Sequence, residues 1–384
     1  MARFISLIVV LVLGILTACG PAAAPTPAAT EKPAATPAGK PAGTPAAQSA
    51  AAVKPTFKVG TPDRPIRVGT APATPFLPIY AAVDKLQKDF GLNVKIVEIS
   101  SSSERTLALV KGDVDIYVGG TSTLLMQMDR GQPIVIFANS GTLGTGIVVR
   151  PEIKSWQDLK GKSIMTSKNS IMHIQLLEEL KANGIDPDKD VKIEFSTRYP
   201  DMNAALKQGQ IAGISSLEPF TAEAVADGYG HFISYPYKTA IGWRAQGAYA
   251  AMDSFVKENP DVLQVIATAN LQIVKDYHEN PNKYLDAVMK YLGYKPDYRP
   301  IAEAALHNTD ILADYDSKAL ADLKATAEYL VKLKEIQKVP DLDKLVTNKF
   351  TEEASKQINW KHPEDLHAVF SPPAWDPSYK YPKR

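Results

Sequence analysis

The sequence predicts an α/β protein whose folded part is built from two lobes. Short apolar strands alternate with helical segments from Arg64 onward, which is typical of a parallel sheet with helices on its faces. The alternation runs twice, and the Gly-rich segment 141–146 separates the two sets. Hydrophobic residues make up 45% of the 384 residues and charged residues 22%, as in globular proteins. The length suffices for one two-lobed unit or for two domains.

The N-terminal segment predicts an exported, lipid-anchored protein. Arg3 precedes an uncharged apolar run from Phe4 to Leu16, and Leu16-Thr17-Ala18-Cys19 follows. This resembles a bacterial lipoprotein signal with its lipobox, residues 1–19, and the resemblance implies that Cys19 is lipidated. A transmembrane anchor is the alternative, but a span needs about 20 apolar residues. We therefore expect an extracytoplasmic protein with a lipid anchor to the bacterial cell membrane.

Composition and motifs argue against an enzyme. Cys19 is the only cysteine, so the folded part has no disulfide, cysteine-based metal cluster or thiol nucleophile. No G-x-S-x-G, H-E-x-x-H or P-loop motif occurs, and the six histidines show no paired metal spacing. A net charge of +1 does not suggest a nucleic-acid partner. We predict no catalytic residue, no metal site and no cofactor.

Residues 20–63 are predicted to form a disordered tether. Pro21 to Val53 consists almost entirely of Ala, Pro, Thr and Gly and contains no aromatic residue. Such a segment buries too little apolar surface to offset its chain entropy. At about 3 Å per residue it reaches on the order of 100 Å when fully extended.

The first α/β set follows the tether. Its predicted strands are 66–70, 94–99, 115–118 and 134–138. A helix over 76–90 is expected to end at Gly91, because glycine terminates helices readily. Ser100 to Ser103 supply hydroxyls that can cap the next helix, and Gly119 to Thr123 open another.

The second set repeats the pattern. Its predicted strands are 147–149, 163–166, 191–195, 211–215 and 231–234, and residues 167–170 are expected to cap a helix that ends at Gly184. From Phe255 to about Lys338 the pattern is helical. An apolar stripe there indicates structural packing and comprises Leu320, Leu323, Ala327, Leu330 and Leu333. Residues 356–384 form a C-terminal tail rich in Pro and aromatic residues.

Candidate binding residues lie where strands end and helices begin. Ligands of α/β folds bind at the carboxyl ends of strands, and free N–H groups at helix starts favour anions or polar acceptors. Four short segments have this character: Ala73 to Phe76, Ser102 to Glu104, Gly119 to Thr121 and Ser167 to Ser170. We expect them to face one another across a cleft.

Several segments resemble one known family in its own order. These are IRVGTAPATPFLPIYAA, LVKGDVDIYVGGTSTLL, SWQDLKGKSIMTSKNSIMHIQLLEELKANGID, ALKQGQIAGISSLEPF and the helical stretch 255–293. The chain resembles the substrate-binding lipoproteins of ABC importers, in the nitrate, sulfonate, taurine and thiamine-pyrimidine (NMT1/THI5-like) group. The resemblance covers roughly Arg64 to Phe350.

This resemblance implies a two-lobed periplasmic-binding-protein type II (Venus flytrap) fold. Lobe 1 then comprises 64–140 and 250–355, and lobe 2 comprises 141–249. It implies a monomer that closes on a small molecule and docks on an ABC permease. The ligand contacts carried over by position are Pro75, Phe76, Ser102, Ser103, Gly120, Thr121, Ser167, Asn169, Ser170, His173, Glu218 and Trp243. Asn169, Ala212 and Leu217 depart from the family pattern and leave the ligand class open.

Alternatives remain for the ligand and for the role. The ligand is either a small anion, such as a sulfonate or nitrate, or a neutral heteroaromatic vitamin precursor. Lys168, Arg105 and Arg244 either pair with an anionic group or are solvated surface charges. Tyr80, Tyr199 and Trp243 either stack on a ring or belong to the core. A lipoprotein that signals to a membrane receptor fits the same sequence, whereas a related pyrimidine synthase needs a cysteine-rich iron motif that is missing here.

Overall fold

A computed structural model describes residues 57–236, 244–363, 373, 376 and 378–383. The predicted signal, Cys19, most of the tether and Trp243 therefore lie outside the described residues. The described chain forms two five-stranded sheets with helices around them, and a two-stranded ribbon accompanies the sheets.

The first sheet contains four strands predicted from the sequence and one that was missed. In space the order is β2-β1-β3-β11-β4, in which β1 runs parallel to β2 and β3. Strand β11 lies antiparallel to both of its neighbours. Its sequence GAYAAM is rich in Ala and Gly, which have little strand propensity, so the pattern gave no sign of it. The bounds are β1 Ile66–Thr70, β2 Val94–Glu98, β3 Ile116–Gly120, β4 Ile134–Asn139 and β11 Gly247–Met252.

The second sheet confirms the repeat of the pattern. Its order is β10-β6-β9-β7-β8, with β7 parallel to β8 and β9, and β6 antiparallel to β9 and β10. The strand predicted at 211–215 lies two residues later. The bounds are β6 Thr145–Val149, β7 Ser163–Thr166, β8 Lys192–Phe195, β9 Gly213–Leu217 and β10 His231–Ser234.

Two short strands lie where the chain passes between the sheets. Strand β5, Thr142–Leu143, pairs antiparallel with β12, Thr309–Asp310. Gly141 and Gly144 flank β5 with φ of 154° and 69°. A Cβ on Gly141 would approach the Pro75 carbonyl oxygen to 2.7 Å, so glycine is required there. The predicted Gly-rich crossing is therefore confirmed as the connection out of the first sheet.

The return to the first sheet comes earlier than predicted. The sequence assigned residues through 249 to lobe 2, whereas Gly247 to Tyr249 already pair with Gly120, Gly119 and Val118 of β3. The missed strand β11 is the physical reason for this difference. The other lobe boundaries stay predictions.

The helices begin and end largely where capping residues predicted. Ser101 caps α2 through a 3.3 Å bond from the Glu104 N–H, and Ser170 caps α4 through one from His173. Gly91 and Gly112 end α1 and α2 in left-handed conformation. The first six helices are α1 Pro78–Phe90, α2 Ser102–Lys111, α3 Thr121–Asp129, α4 Ile171–Ala182, α5 Tyr199–Lys207 and α6 Phe220–Ala226.

The C-terminal third is helical, as predicted, and extends beyond Lys338. Within the predicted stripe Leu323, Ala327 and Leu330 are buried. None of the described helices is both long and apolar enough to cross a membrane. The bounds are α7 Asp253–Glu258, α8 Pro260–Glu279, α9 Pro281–Leu292, α10 Arg299–His307, α11 Ser317–Lys332, α12 Leu342–Leu345 and α13 Lys349–Ile358. Short 3-10 turns span Thr74–Phe76, Trp156–Leu159 and Pro296–Tyr298.

Candidate functional site

The carboxyl ends of the strands in both sheets meet at one cleft. In the first sheet β1 and β3 are neighbours whose helices leave in different directions, which is a topological switch point. In the second sheet β7 and β9 have the same relation. The Thr74 N–H, just after β1, donates to the Glu218 carbonyl oxygen, just after β9, at 2.9 Å. The two strand ends that carry the predicted segments are therefore in direct contact.

Arg105 is the most unusual residue of this cleft. Its side chain is fully buried, and its partners in the described part of the chain are all neutral. Nη1 donates to the Ile99 carbonyl oxygen at 2.8 Å, and Nη2 donates to Ser102 Oγ at 3.0 Å. Its Nε has no hydrogen-bond partner among the described residues. Because an uncompensated buried charge costs several kcal/mol, such a cation calls for an anion.

The residues around Arg105 are shaped to hold a guanidinium. Its Cζ lies 5.4 Å from the ring centroids of both Phe76 and Tyr117. A Cβ on Gly119 would come within 2.8 Å of Arg105 Nε and Nη2. Glycine at this position of β3 therefore lets the guanidinium lie directly against the strand.

Tyr199 reaches the same place from the second sheet. It is the first residue of α5, it is buried, and its ring lies 5.3 Å from that of Phe220. Burial raises the pKa of Tyr199, while the Arg105 charge and hydrogen bonds with Ser102 and Arg105 oppose the rise. Tyr199 therefore lies close to Arg105 and Ser102, which belong to the first sheet layer. Tyr199 is buried against Phe220, and which of the two roles left open by the sequence it has stays a prediction.

Further buried polar atoms at these strand ends have no partner in the described part of the chain. They include Thr70 Oγ1 at the end of β1, Ser140 Oγ after β4, Gln246 Oε1 and Nε2 before β11, and Ser216 Oγ in β9. A buried polar group left unpaired costs about 1–3 kcal/mol, so several at one cleft indicate a polar ligand. Sequence reasoning missed Ser140 and Gln246. Ser140 follows a predicted strand and could have been found, whereas Gln246 precedes the strand that was missed.

Most residues predicted on the first lobe lie at the cleft with structural partners. Phe76 is buried beneath Arg105. Ser102 Oγ accepts a hydrogen bond from the Arg105 guanidinium. Thr121 Oγ1 donates to the Ala245 carbonyl oxygen at 2.6 Å, and the Gly120 carbonyl accepts from Tyr117. Pro75 lies against Gly141, and the Ser103 side chain is exposed.

The predicted second-lobe residues form the cap of α4. Ser170 Oγ donates to the Ser167 carbonyl oxygen at 2.6 Å, and the Asn169 N–H donates to His173 Nδ1 at 3.3 Å. Burial, with a smaller contribution from the Lys168 charge, lowers the pKa of His173 to about 4. His173 is therefore neutral at physiological pH and offers a ring nitrogen rather than a charge.

Glu218 and Arg244 are buried in networks of their own. Glu218 Oε1 accepts from Asn308 and Oε2 accepts from the Ala222 N–H, both at 2.8 Å. Burial raises the pKa of Glu218 to about 7, against the hydrogen bonds that favour the carboxylate. Arg244 pairs with Asp316 at 2.8 Å, so it is neither a surface charge nor an open anion site.

The remaining candidates lie at the surface or in the core. Lys168 is exposed, with its Nζ 5.7 Å from the Phe195 ring centroid. Tyr80 is a core residue whose ring packs edge-on against Tyr291 at 5.5 Å. Among the described residues no group of three or more His, Cys, Asp or Glu is arranged to hold a metal ion.

Comparisons with known proteins point to one family. A family model described as NMT1/THI5 like matches residues 73–284. The taurine-binding periplasmic protein of Escherichia coli K12 is 27% identical over 240 residues, which are 62% of this chain and 70% of that protein.

Solved structures of similar fold extend the comparison. The alkanesulfonate-binding protein SsuA of Xanthomonas axonopodis pv. citri, bound to MOPS, has a TM-score of 0.63 at 18% identity, over 74% of this chain and 98% of its own. The nitrate-binding protein NrtA of Synechocystis PCC 6803 has a TM-score of 0.64 at 15% identity, over 79% of this chain and 90% of its own. The desulfurization enzyme DSZB also has this fold, with a TM-score of 0.58 at 16% identity, over 76% of this chain and 99% of its own. These similarities confirm the predicted two-lobed α/β fold.

Proposed function

Because the chain belongs to the NMT1/THI5-like family, we propose that it is the solute-binding protein of an ABC importer for a small anion such as a sulfonate or nitrate. The family model covers more than half of the chain, and the relatives named above include binding proteins for taurine, alkanesulfonates and nitrate. The protein captures its ligand between the two lobes outside the cytoplasm and delivers it, as a monomer, to a permease.

The observation that carries the ligand class is the buried cation at Arg105. Its neutral partners leave a full positive charge among buried groups, and its Nε, which lies against Gly119, has no hydrogen-bond partner among the described residues. A guanidinium matches the oxygens of a sulfonate, nitrate or carboxylate, and charge-assisted bonds are the strongest available there. A neutral vitamin precursor would leave this charge uncompensated. The anion is therefore preferred over the heteroaromatic alternative.

Binding drives closure because the ligand contacts both lobes. Arg105 and Ser102 approach from the first sheet, and Tyr199 approaches from the second. A ligand that contacts all three binds the closed state better than the open one and shifts the population towards it. In this proposal Gln246 and Ser140 supply the neutral hydrogen bonds that orient the rest of the ligand.

An enzymatic role is the weaker alternative. DSZB shows that this fold also occurs in an enzyme. The folded part of this chain has no cysteine, and no activated nucleophile is apparent among the described cleft residues. A sensor that signals to a membrane receptor would use the same cleft, and we place it second because the relatives include ABC-type binding proteins.

Membrane attachment at Cys19 completes the proposal. The lipobox and the Ala/Pro-rich tether suit a binding protein that works near a permease in the membrane. Labelled palmitate should enter the full-length chain in a bacterial host and not the C19A variant. Equal labelling of the two would show that Cys19 is not the attachment site.

The ligand class is tested by a thermal-shift panel on residues 57–384. The panel contains taurine, ethanesulfonate, nitrate, bicarbonate, a thiamine pyrimidine and riboflavin. A ligand at 100 times its dissociation constant adds about 2.7 kcal/mol, which raises the Tm by roughly 5 °C. We expect a shift from a sulfonate or nitrate and none from riboflavin. A shift from the neutral compounds alone would contradict the anion site.

A further inference from the structure

The two lobes touch a second time at α11, away from Arg105. The Tyr329 hydroxyl donates to Glu178 Oε1 of α4. Lys181, one turn further along α4, places its Nζ 6.0 Å from the Tyr329 ring centroid. Tyr329 is buried although its polar partners belong to a helix of the other sheet. A buried tyrosine that donates to a carboxylate forms a strong, directional contact.

The turn after α11 makes another contact between the lobes. Asn169 Nδ2 donates to Glu335 Oε2 at 3.0 Å. Asn169 has a φ of 58°, a left-handed conformation that costs free energy in residues other than glycine. Glu335 therefore holds the strained residue in the cap Ser167–Ser170 that begins α4. The Asn169 amide nitrogen is used between the lobes, and its predicted ligand contact stays a prediction.

Helix α11 and its turn are fixed to the first lobe. The N–H groups of Gln337 and Lys338 donate to Asp129, the last residue of α3, at 3.0 and 3.2 Å. Asp322 of α11 accepts from the N–H groups of Arg244 and Ala245, just before β11, at 2.7 and 3.1 Å. Both α3 and β11 belong to the first sheet layer. The contacts of Tyr329 and Glu335 thus join one lobe to the other.

We propose that Tyr329 and Glu335 are positioning residues that hold α4 and its cap in the closed arrangement, independently of the ligand. Both contacts join α4 or its cap to α11 and its turn, so separation of the lobes would break them, and they thereby bias the equilibrium between open and closed forms. The apparent affinity for a ligand scales with the fraction of closed, binding-competent protein. This inference rests on the proposed function only for its effect on affinity, because closure itself is measured without ligand.

The test uses distances between two spin labels. The folded part has no cysteine, so the full chain with C19S accepts labels only where they are introduced. Asp113 and Asp188 are exposed residues at the outer ends of the first and second sheets. We expect a short distance between the two labels in the ligand-free D113C/D188C protein. When Y329F and E335A are added to this protein, we expect a second population with a longer distance between the labels.

Two matched variants separate positioning from general damage. E335Q keeps a side-chain oxygen that accepts from Asn169, so it should restore most of the short distance relative to E335A. Glu328 lies on the same helix but is 58% exposed and pairs only weakly with Lys324, at 4.0 Å, so E328A should match the parent. Taurine affinity should fall about tenfold in Y329F/E335A through faster dissociation, with the ratio of taurine to ethanesulfonate affinity unchanged.

The outcomes distinguish this inference from the proposed function. If Y329F/E335A shows the parent distance, the positioning role is wrong, whether or not taurine binds. If the parent binds neither taurine nor ethanesulfonate, the ligand assignment is wrong, and the label distances still decide the role of Tyr329 and Glu335. A changed preference between the two sulfonates would also contradict the inference, because it would place these residues at the ligand.

Discussion

Among the described residues two arginines are buried, and they differ in whether a carboxylate pairs with them. Arg244 is 5% exposed and pairs with Asp316 at 2.8 Å. Arg105 is 0% exposed and has only neutral partners in the described part of the chain. The charge of Arg244 is compensated within the chain, so it serves the fold. In the proposed function, the charge of Arg105 is compensated by the bound anion.

The difference shows that charge balance, rather than burial, separates a binding residue from a structural one. Removing one partner of a buried ion pair costs about 3–5 kcal/mol because the other charge stays behind. Removing a cation that has no counter-ion releases a desolvation cost instead. Changes at the two sites should therefore differ in their effect on the free energy of unfolding.

The largest expected effect is the loss of anion affinity in R105M. Truncating a buried charge that pairs with a ligand costs about 4 kcal/mol, which is roughly a thousandfold in Kd. Without ligand, the free energy of unfolding should stay within about 1 kcal/mol of the parent, because the lost hydrogen bonds offset the lost desolvation cost. Calorimetric titration with the ligand found in the panel and urea denaturation measure the two quantities. Unchanged affinity would remove Arg105 from the site.

The opposite case is D316A, which leaves Arg244 without its carboxylate. Asp316 also caps α11, since its Oδ1 accepts from the Ala319 N–H at 2.7 Å. The combined loss should lower the free energy of unfolding by about 3 kcal/mol. Asp341, which pairs with Lys344 at an exposed position, supplies the control, and D341A should change stability by less than about 1 kcal/mol. Urea denaturation measures the free energy of unfolding of both variants. Equal losses in D316A and D341A would contradict the contrast between the buried pair of Arg244 and an exposed ion pair.

A third, more gradual effect is the pH dependence of stability that comes from Glu218, a buried carboxyl group between the two lobes. The pKa of Glu218 is raised from 4.5 to about 7 by burial. The folded state therefore holds a proton between pH 4.5 and 7 that the unfolded state has lost. The resulting stability is complete below about pH 4.5 and is lost as the pH rises to about 7.

The variant E218Q removes this proton linkage. The slope of stability against pH between 4.5 and 7 should become less steep by up to about 1.4 kcal/mol per pH unit. Part of the slope should remain, because burial also raises the pKa of Asp310 to about 7. Chemical denaturation at several pH values measures it, and an unchanged slope would mean that Glu218 does not titrate in this range.

Most of the fold could be predicted because it depends on local pattern. Apolar runs predicted nine of the strands within about two residues, and serine and glycine predicted the caps, as at Ser170 and Gly91. Strand β11 could not be predicted, because Ala-rich segments carry no strand signal and its pairing with β3 and β4 is set by packing. The family and the two-lobed fold, predicted from ordered motifs, are both confirmed.

The site was predicted less completely than the fold. The predicted segments do lie at strand ends, but the sequence could not distinguish the surroundings of Arg105 from those of Arg244 or Lys168. That distinction depends on whether a carboxylate from a distant part of the chain reaches each cation. Asp316 lies 72 residues from Arg244, and Glu335 lies 166 residues from Asn169. Such pairings exist only after the chain has folded.

The position of β11 also bears on how this architecture can be altered. Strand β4 ends at Asn139, and Ala248 of β11 lies beside it in the sheet. Neighbouring strands are about 4.8 Å apart, so the chain leaves and re-enters the first sheet at almost the same point. The intervening 140–246 is thus an insert whose exchange leaves every neighbour in that sheet unchanged. A fluorescent reporter or a related module joined at these two points keeps the strand order of the sheet, but it has to replace the Arg244–Asp316 pair and the β5–β12 pairing that 140–246 supplies.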